Sequence, residues 1–244
     1  MKWLHQLGEF GYMAFRVAGT IPYAFRDRRR LAFQMDHVGV NSIPLVMLVG
    51  FFAGAIIAWQ GAYQFKGMVS LDVLGGQASR VIVMEMGPVL TALVIAGRIG
   101  ASMTAEIGTM QVTEQVDALR TMSLDPVRYI VMPRFLGLSI MMPVLTLFSN
   151  LVGIFGCYVV SNYFLDITQQ TFFDSIKTFF MVQDLTGGLI KSLIFGMLIS
   201  LIGCYKGLST TGGARGVGRS TISSFVLSAI LILIGDFFLW LILF

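Results

Sequence analysis

The sequence predicts an all-α integral membrane protein with five transmembrane helices, an amino-terminal interfacial helix and a cytoplasmic coupling helix. Composition is the first observation behind this prediction, because 56% of the 244 residues are hydrophobic and only 12% are charged, whereas soluble domains carry about 25% charged residues. The second observation is that the apolar residues form long runs, each near the roughly 20 residues that a helix needs to cross hydrocarbon. We therefore expect one membrane domain over residues 1–244.

Five apolar runs are the predicted membrane spans, and each contains at most one charged residue. They are residues 38–65, 86–105, 135–165, 185–205 and 220–244. Single charges at Arg98, Lys191 and Asp236 interrupt the second, fourth and fifth spans. Because an isolated charge in hydrocarbon costs roughly 3 kcal/mol on insertion scales, each of these residues indicates a buried partner or a functional role.

The distribution of basic residues predicts the orientation, since Lys and Arg concentrate in cytoplasmic segments. Segments 1–37, 106–134 and 206–219 hold twelve of the 17 Lys and Arg residues, whereas 66–80 and 166–184 hold three. We therefore expect a cytoplasmic amino terminus and a carboxyl terminus on the outer, periplasmic side. The net charge of +4 is spread along the chain and does not indicate a nucleic-acid partner.

Residues 1–35 are predicted to form an amphipathic helix along the cytoplasmic surface of the membrane. Apolar residues recur every three or four positions from Trp3 to Ile21, and the basic run RDRRR follows at 26–30. This pattern is typical of a helix that lies in the interface next to anionic headgroups. A helix that only packs against its own protein has the same pattern, and the two interpretations are compatible.

A second surface helix is predicted on the outer side, in residues 166–184. One helical face of this segment carries apolar side chains, at Phe172, Ile176, Phe179 and Phe180. An apolar face on a short helix between two spans favours a position at the membrane surface. The helix either anchors the chain or borders a lipid path or a partner protein.

Residues 106–123 form the predicted coupling helix, because this segment is too polar for a span and too long for a tight turn. Val116 and Leu119 stand at helical spacing, and Pro126 stops the helix since proline removes a backbone donor. A rigid helix between two spans is a lever that another protein can push. The polar residues expected to contact that protein are Glu106, Glu114, Asp117, Arg120 and Asp125.

The same region is similar to the pattern with which permeases of ATP-driven importers dock on their nucleotide-binding subunits. That pattern combines Glu-Ala-Ala, a glycine and a later Ile-x-Leu-Pro. Glu114, Ile130 and Pro133 fall at the matching positions of this chain. The match is partial, because the chain departs from the pattern at Gln115, Val116, Arg120 and Met132.

The charged residues in and beside the spans allow several roles. Glu85 stands at the outer end of the second predicted span, where it either caps the helix amino terminus, which favours a carboxylate, or lines an outward-facing cavity. Arg98 either extends toward the cytoplasmic interface or ties its span to a neighbour. Lys191 and Asp236 have opposite charges at one depth, so we predict an ion pair that lowers the cost of burying each.

The segment GGARGVGRST at 212–221 resembles a phosphate-binding loop but lacks its context. Such a loop requires a lysine where Arg219 stands, and it joins a strand to a helix in an α/β domain. We expect a flexible basic loop between two spans instead. His5 and His37 are the only histidines, so the sequence contains no pattern of a metal site, and we do not expect the chain to be an enzyme.

The stretch EMGPVLTALVIAGRIGASMTAEIGTMQVTEQVDALRTMSLDPVRYIVMPR, residues 85–134, resembles the signature region of the MlaE-type permease family. The resemblance is dense up to Gly156 and continues weakly over most of the chain. Those permeases are membrane subunits of ATP-driven lipid transporters that work with MCE-domain proteins. The resemblance implies a homodimer in the bacterial inner membrane, with two ATPase subunits on the cytoplasmic side and a ring of MCE proteins on the periplasmic side.

The resemblance further implies a phospholipid cargo, held in an outward-open cavity between the two permease copies. The family's cavity glutamate matches Glu85, although Met84 stands where the family often has arginine. Trp59, Gln60 and Tyr63 are further candidates for the lipid cavity. ATP and Mg²⁺ are expected on the partner ATPase, and no cofactor is expected on this chain.

Two other classes of function stay open from the residues alone. An ion-coupled secondary transporter or channel would use Glu85, Arg98, Lys191 and Asp236 as relay groups, although five spans without an evident inverted repeat argue against it. A passive membrane scaffold would leave a bound ATPase indifferent to lipid. The preferred prediction is a lipid-translocating permease subunit whose coupling helix receives motion from the ATPase.

Overall fold

The structure is a computed structural model that describes residues 2–20, 28–65 and 70–243, with side chains from residue 8 onward. Helices make up the regular structure of these ranges, which confirms the predicted all-α class. Five helical stretches in them are long and apolar enough to cross a membrane. They are Arg28–Phe65, Leu71–Val112, Val127–Phe164, Val182–Leu208 and Gly213–Leu243.

The α-helices of the described ranges are numbered in chain order. They are α1 (Lys2–Thr20), α2 (Arg28–Val38), α3 (Ile43–Phe65), α4 (Leu74–Val81), α5 (Gly87–Ile95), α6 (Ala101–Val112), α7 (Gln115–Thr121), α8 (Met132–Phe164), α9 (Gln169–Phe179), α10 (Val182–Leu208) and α11 (Gly213–Leu243). Short 3₁₀ turns lie at Val40–Ser42 and Leu71–Val73. Wider π-helical turns, which recur at functional positions in proteins, lie at Ile82–Met86, Ala96–Gly100 and Val127–Val131.

The second spanning helix is longer than the predicted span of 86–105, because it runs from Leu71 to Val112. Residues 66–80 were expected to lie outside the membrane. In the structure Gly75 and Gly76 lie inside α4, where the missing side chains leave room for Phe172 and Phe179 of α9. Small residues that let two helices approach this closely are common in membrane proteins, so tertiary packing makes this glycine-containing stretch helical.

The predicted rod of residues 106–123 is two pieces rather than one. Residues up to Val112 continue α6, and the seven-residue helix α7 follows after a break. Glu114 lies at the break with a φ of 61°, in the left-handed region, which redirects the chain. Val116 at the start of α7 is fully buried, and its burial explains why the helix turns back onto the protein.

The predicted flexible loop at 212–221 is wrong, since α11 already begins at Gly213. Gly212 and Gly213 have φ values of 88° and 63°, a conformation that glycine adopts without steric cost. These glycines form the turn between α10 and α11, and the later glycines of the segment lie within the helix. The fifth spanning helix therefore starts earlier than residue 220.

The chain divides into two compact units. Unit 1 comprises Met1–Val40, Ile95–Met141 and Ile194–Ile234. Its apolar core joins α1, α6, α7, α10 and the beginning of the stretch Val127–Phe164, with buried side chains at Met13, Val17, Ile107, Val116, Val127, Ile130, Val131, Phe135 and Cys204. The amino-terminal helix therefore packs against its own unit through Met13 and Val17.

The other face of α1 is exposed in the structure, with Tyr12 and Phe15 largely accessible. The predicted interfacial role of α1 would use this exposed face, while Met13 and Val17 pack on the opposite side. Ile21 and residues 26–27 of the basic run lie outside the described residues, and so does the side chain of Trp3.

Unit 2 comprises Asn41–Val94, Met142–Leu193 and Gly235–Phe244. Helices α3 and α8 approach so closely that a Cβ atom at Gly54 would collide with the carbonyl oxygen of Gly153. Helix α9 packs on α4, and the Ser175 hydroxyl accepts a hydrogen bond of 2.9 Å from the Gly76 amide. The predicted apolar face of 166–184 therefore contacts the protein through Phe172 and Phe179, while Phe180 is exposed.

Candidate functional site

A cluster of three charged side chains lies in unit 2. The Nζ atom of Lys191 donates to Oε1 of Glu85 at 2.6 Å and to Oδ1 of Asp236 at 3.0 Å. Lys191 is completely buried, whereas the two carboxylates remain 26% and 21% exposed. The predicted ion pair between Lys191 and Asp236 is present, and Glu85 joins it as a second carboxylate. One ammonium group thus connects residues from three spanning helices.

Glu85 reaches Lys191 from the π-helical turn Ile82–Met86. Because helical residues precede it from Leu71 onward, Glu85 does not cap a helix amino terminus, and that interpretation is wrong. Pro88 follows the turn and has no backbone N–H, so an undistorted α-helix would lose one hydrogen bond at this point. The π turn thus coincides with a position where the regular α-helical hydrogen bonding is already interrupted.

Arg98 stands in a second π-helical turn, Ala96–Gly100, and is exposed. It belongs to unit 1, whereas the lysine and both carboxylates of the charge cluster belong to unit 2. Close packing surrounds its turn, because a Cβ atom at Gly100 would lie 2.9 Å from Ile199 of α10. Of the three intramembrane charges singled out from the sequence, Lys191 and Asp236 share one site in unit 2.

An apolar groove of about 400 Å³ opens on the surface of unit 2, between α3 and the end of α8. Its walls are Ala55, Ile56, Trp59, Gln60, Val160 and Phe164. The rings of Trp59 and Phe164 meet edge to face with their centroids 6.2 Å apart. The structure thus brings two of the lipid-cavity candidates together in one groove.

The other two lipid-cavity candidates, Glu85 and Tyr63, are not among the residues that line this groove. Tyr63 is 81% exposed, and Glu85 is engaged by Lys191. The groove therefore offers an apolar surface with one amide group, and the carboxylate belongs to the separate charge cluster of unit 2.

The coupling candidates lie around α7 in unit 1, and most of them are engaged in ion pairs. Glu106 pairs with Arg134 at 3.1 Å, Asp117 with Arg120 at 2.9 Å, and Asp125 with Arg16 at 2.8 Å. Asp125 also accepts a hydrogen bond from the Val127 amide at 3.1 Å.

Glu114 is exposed at the left-handed turn before α7. Buried Val116 fixes one side of this helix, while Asp117, Ala118, Arg120 and Thr121 form a polar face that is open to solvent. This polar face of α7 is free of the apolar packing that anchors the helix, so it is accessible to another protein.

A two-point ion pair in unit 2 was missed by reasoning from the sequence. Arg80 donates from Nε to Oδ2 of Asp184 at 2.7 Å and from Nη2 to Oδ1 at 3.3 Å. Both residues were expected in segments outside the spans and received no role. The pair could have been predicted, because the two residues have opposite charges and both stand just before a predicted span on the outer side.

Comparison of the sequence with known proteins identifies its family. The family model described as Permease MlaE matches residues 31–242. A probable ABC transporter permease protein of Synechocystis is 43% identical over 216 residues, which are 88% of this chain and 82% of the relative. A probable ABC transporter permease protein of Rickettsia prowazekii is 38% identical over 237 residues, which are 97% of this chain and 92% of the relative.

A plant relative is also similar. The Arabidopsis thaliana protein named TRIGALACTOSYLDIACYLGLYCEROL 1, chloroplastic, is 36% identical over 206 residues, which are 84% of this chain and 59% of that protein. Together with the five apolar helices, these similarities identify a multi-pass membrane protein.

Proposed function

We propose that this ABC transporter permease subunit, which belongs to the MlaE permease family, moves a phospholipid. The groove of unit 2 carries the proposal, because its aliphatic and aromatic walls suit acyl chains and the Gln60 amide suits a polar lipid backbone. Apolar side chains stabilise a bound acyl chain by about 0.8 kcal/mol for each buried CH₂ group. A water-soluble cargo would find few polar partners there.

The name of the Arabidopsis relative supports a diacyl lipid as the cargo class, since it contains the name of a galactosylated diacylglycerol. A galactolipid and a phospholipid share two acyl chains and differ in the headgroup. The apolar groove would bind the part that they share. The headgroup would then be selected by polar residues near the groove, for which Tyr63 is the exposed candidate.

In this proposal two ATPase subunits bind ATP and Mg²⁺ and dock on the exposed polar face of α7. Val116 and Leu119 anchor the opposite face of α7 in the core of unit 1, so a push on the helix is transmitted to its unit. Helices α8, α10 and α11 contribute residues to both units. Motion received by unit 1 would therefore reach unit 2 through continuous helices.

The proposed assembly is a homodimer in the bacterial inner membrane, with MCE-domain proteins on the periplasmic side. Exposed apolar residues such as Ile56 and Trp59 favour a second permease copy or lipid over water at this surface. The bias of basic residues supports a cytoplasmic amino terminus and a periplasmic carboxyl terminus.

The charge cluster supports one alternative, an ion-coupled transporter, because ionisable residues within membrane helices often mark ion pathways. In the preferred function the cluster instead holds three spanning helices together, with Lys191 neutralised by two carboxylates. The two functions differ in their energy source, ATP hydrolysis or an ion gradient.

Reconstitution in liposomes with the cognate ATPase and MCE proteins tests the proposal, with a fluorescent phospholipid as cargo. We expect transfer that requires ATP and is lost in Ile56→Glu, which places a carboxylate in the groove, while basal ATP hydrolysis persists. Leu48→Glu is the matched control, since Leu48 lies on the same helix with similar exposure but outside the groove.

Equal loss of transfer in both glutamate variants would contradict the assignment of the groove. Transfer driven by an ion gradient in the absence of any ATPase would establish the alternative function.

A further inference from the structure

A basic cavity in unit 1 has not been assigned a role in the function proposed above. It has a volume of about 270 Å³ and lies between α2 and the helical stretch that begins at Val127. Arg29, Arg30 and Arg134 line it together with Phe33 and Tyr129, and the lining residues that the structure describes include no carboxylate. Three guanidinium groups beside aromatic rings fit an anion that also carries apolar parts.

Arg30 is held in a defined position at this cavity. Its guanidinium carbon lies 3.8 Å from the centre of the Tyr129 ring, a stacked cation–π arrangement. Stacking occupies the face of the guanidinium plane and leaves the N–H groups at its edge available for an oxygen ligand. Neither Arg29 nor Arg30 forms an ion pair with any of the described residues.

Arg134 supplies a fixed charge in the wall of the cavity. Its Nη2 donates to Glu106 at 3.1 Å and its Nη1 donates to the Ile130 carbonyl at 3.2 Å. Its Nε is buried and makes no hydrogen bond in the part of the chain that the structure describes. The side chain is only 14% exposed, so its position is fixed, and Glu106 balances part of its charge.

The cavity is formed at the polar amino-terminal ends of two helical stretches that are long and apolar enough to cross a membrane. Arg29 and Arg30 lie in α2, the polar first helix of the stretch Arg28–Phe65, and Tyr129 lies in the first turn of Val127–Phe164. Basic and aromatic residues at the ends of spanning helices meet the phosphate layer of the bilayer. Phe33, which is 66% exposed, would lie next to the acyl chains of a bound lipid.

We propose that this cavity binds the phosphate of an anionic phospholipid, with Arg29 and Arg30 as the donors and Arg134 as the fixed charge behind them. The lipid is a resident of the membrane around the permease and not its cargo, so the site is independent of the function proposed above. Its phosphate chemistry is shared by soluble phosphate esters, and the apolar surface of Phe33 and Tyr129 favours the lipid.

Native mass spectrometry of the purified full-length protein tests this site by titration with phosphatidylglycerol or with phosphatidylcholine of the same acyl chains. We expect tighter binding of phosphatidylglycerol, and a loss of about tenfold in that affinity in the double variant Arg29→Gln/Arg30→Gln. Arg215→Gln/Arg219→Gln is the matched control, because it removes two exposed arginines of the same unit outside the cavity.

Two further experiments test whether the ligand is a lipid and whether the Tyr129 ring takes part in binding. Glycerol 3-phosphate at millimolar concentration should not displace the lipid, whereas complete displacement would assign the site to a soluble anion and overturn the proposal. Tyr129→Ala should weaken phosphatidylglycerol binding, and Tyr129→Phe should preserve it since the ring face is retained.

Three other outcomes would also overturn the proposal. They are equal binding of both lipids, equal losses in both arginine double variants, and unchanged lipid binding with loss of ATPase co-purification in Arg29→Gln/Arg30→Gln. The last result would show a protein-docking surface. The thermal midpoint of every variant checks that binding losses do not come from unfolding.

Discussion

The Lys191 cluster of unit 2 and two ion pairs of unit 1 differ in burial. In unit 2 the completely buried Lys191 lies between two carboxylates that are mostly shielded. In unit 1 the Arg16–Asp125 pair is 40% and 36% exposed, and the Arg120–Asp117 pair is 62% and 53% exposed. Removing one partner from a buried pair strands a charge without water, whereas exposed pairs contribute little. The Lys191 cluster of unit 2 therefore holds helices together, whereas these two pairs of unit 1 lie on a surface, as the Lys177–Asp174 pair of unit 2 also does.

The largest effect is expected at Lys191, the most deeply buried charge of the comparison. Lys191→Met removes the cation that bonds both Glu85 and Asp236, and we expect the free energy of unfolding to fall by about 3–5 kcal/mol. Thermal or denaturant unfolding in detergent measures the change. Lys177→Met is the control, because Lys177 forms a 3.0 Å ion pair with Asp174 on the exposed face of α9 and should cost at most about 1 kcal/mol.

A second set of variants isolates the charge term at the same site. Adding Glu85→Gln and Asp236→Asn to Lys191→Met should recover part of the lost stability, since no carboxylate is then left without its cation. Equal costs for the Lys191 and Lys177 variants would remove the distinction between the two kinds of ion pair.

An intermediate effect is expected at Arg80 and Asp184, which is a partly buried pair of unit 2. Asp184 is 4% exposed and Arg80 is 29% exposed, so Asp184→Asn should reduce the free energy of unfolding by about 1–3 kcal/mol. Asp174→Asn removes a carboxylate from an exposed pair and serves as the control. A smaller loss at Asp184 than at Asp174 would show that burial does not order these energies.

A gain in stability is expected on replacing Glu114, because the stability of unit 1 at this residue is limited by its left-handed backbone conformation and not by a charge interaction. Glycine adopts the left-handed conformation of this residue without a Cβ penalty, so Glu114→Gly should stabilise the protein by about 0.5–1 kcal/mol. Asp117→Gly, the same change inside α7, should destabilise by a similar amount, about 0.5–1 kcal/mol. Changes in the unfolding midpoint that have the same sign in both variants would contradict a strained turn at Glu114.

The smallest stability effect is expected at Arg16 and Asp125, which tie α1 to the segment after α7. A double-mutant cycle with Arg16→Gln and Asp125→Asn should give a coupling free energy of about 0.2–1 kcal/mol that decreases with added salt. The side-chain amide oxygen in the Asp125→Asn variant would still accept the hydrogen bond that the Val127 amide donates, so the cycle isolates the ion pair. A coupling energy that is large and independent of salt would place this pair with the buried ones.

The sequence was informative where one-dimensional patterns are strong. Long apolar runs predicted five spanning helices because each residue in hydrocarbon contributes independently to insertion. The pairing of Lys191 with Asp236 followed from depth and charge alone. Helix ends were predicted less well, since Gly75 and Gly76 are helical where α9 packs on α4, and Gly216 and Gly218 lie within α11.

The site residues show the same division. Trp59 and Gln60 share a groove, but no signal in the sequence indicated that Phe164, distant in the chain, would complete it. Glu85 was assigned to a cap or a cavity, and its contact with Lys191 was not predicted. Its direction depends on a π turn that shifts the helical register, and no local pattern predicted that turn.

The amino-acid sequence by itself determined the all-α membrane class and the number of spanning helices, because both depend on how long each stretch remains apolar. Only the tertiary structure decided that Lys191 bonds two carboxylates, that the segment 106–123 breaks at Glu114, and that Arg30 stacks on Tyr129. These features depend on which helix faces meet and at what rotation, and those quantities are set by packing between residues that are far apart in the chain.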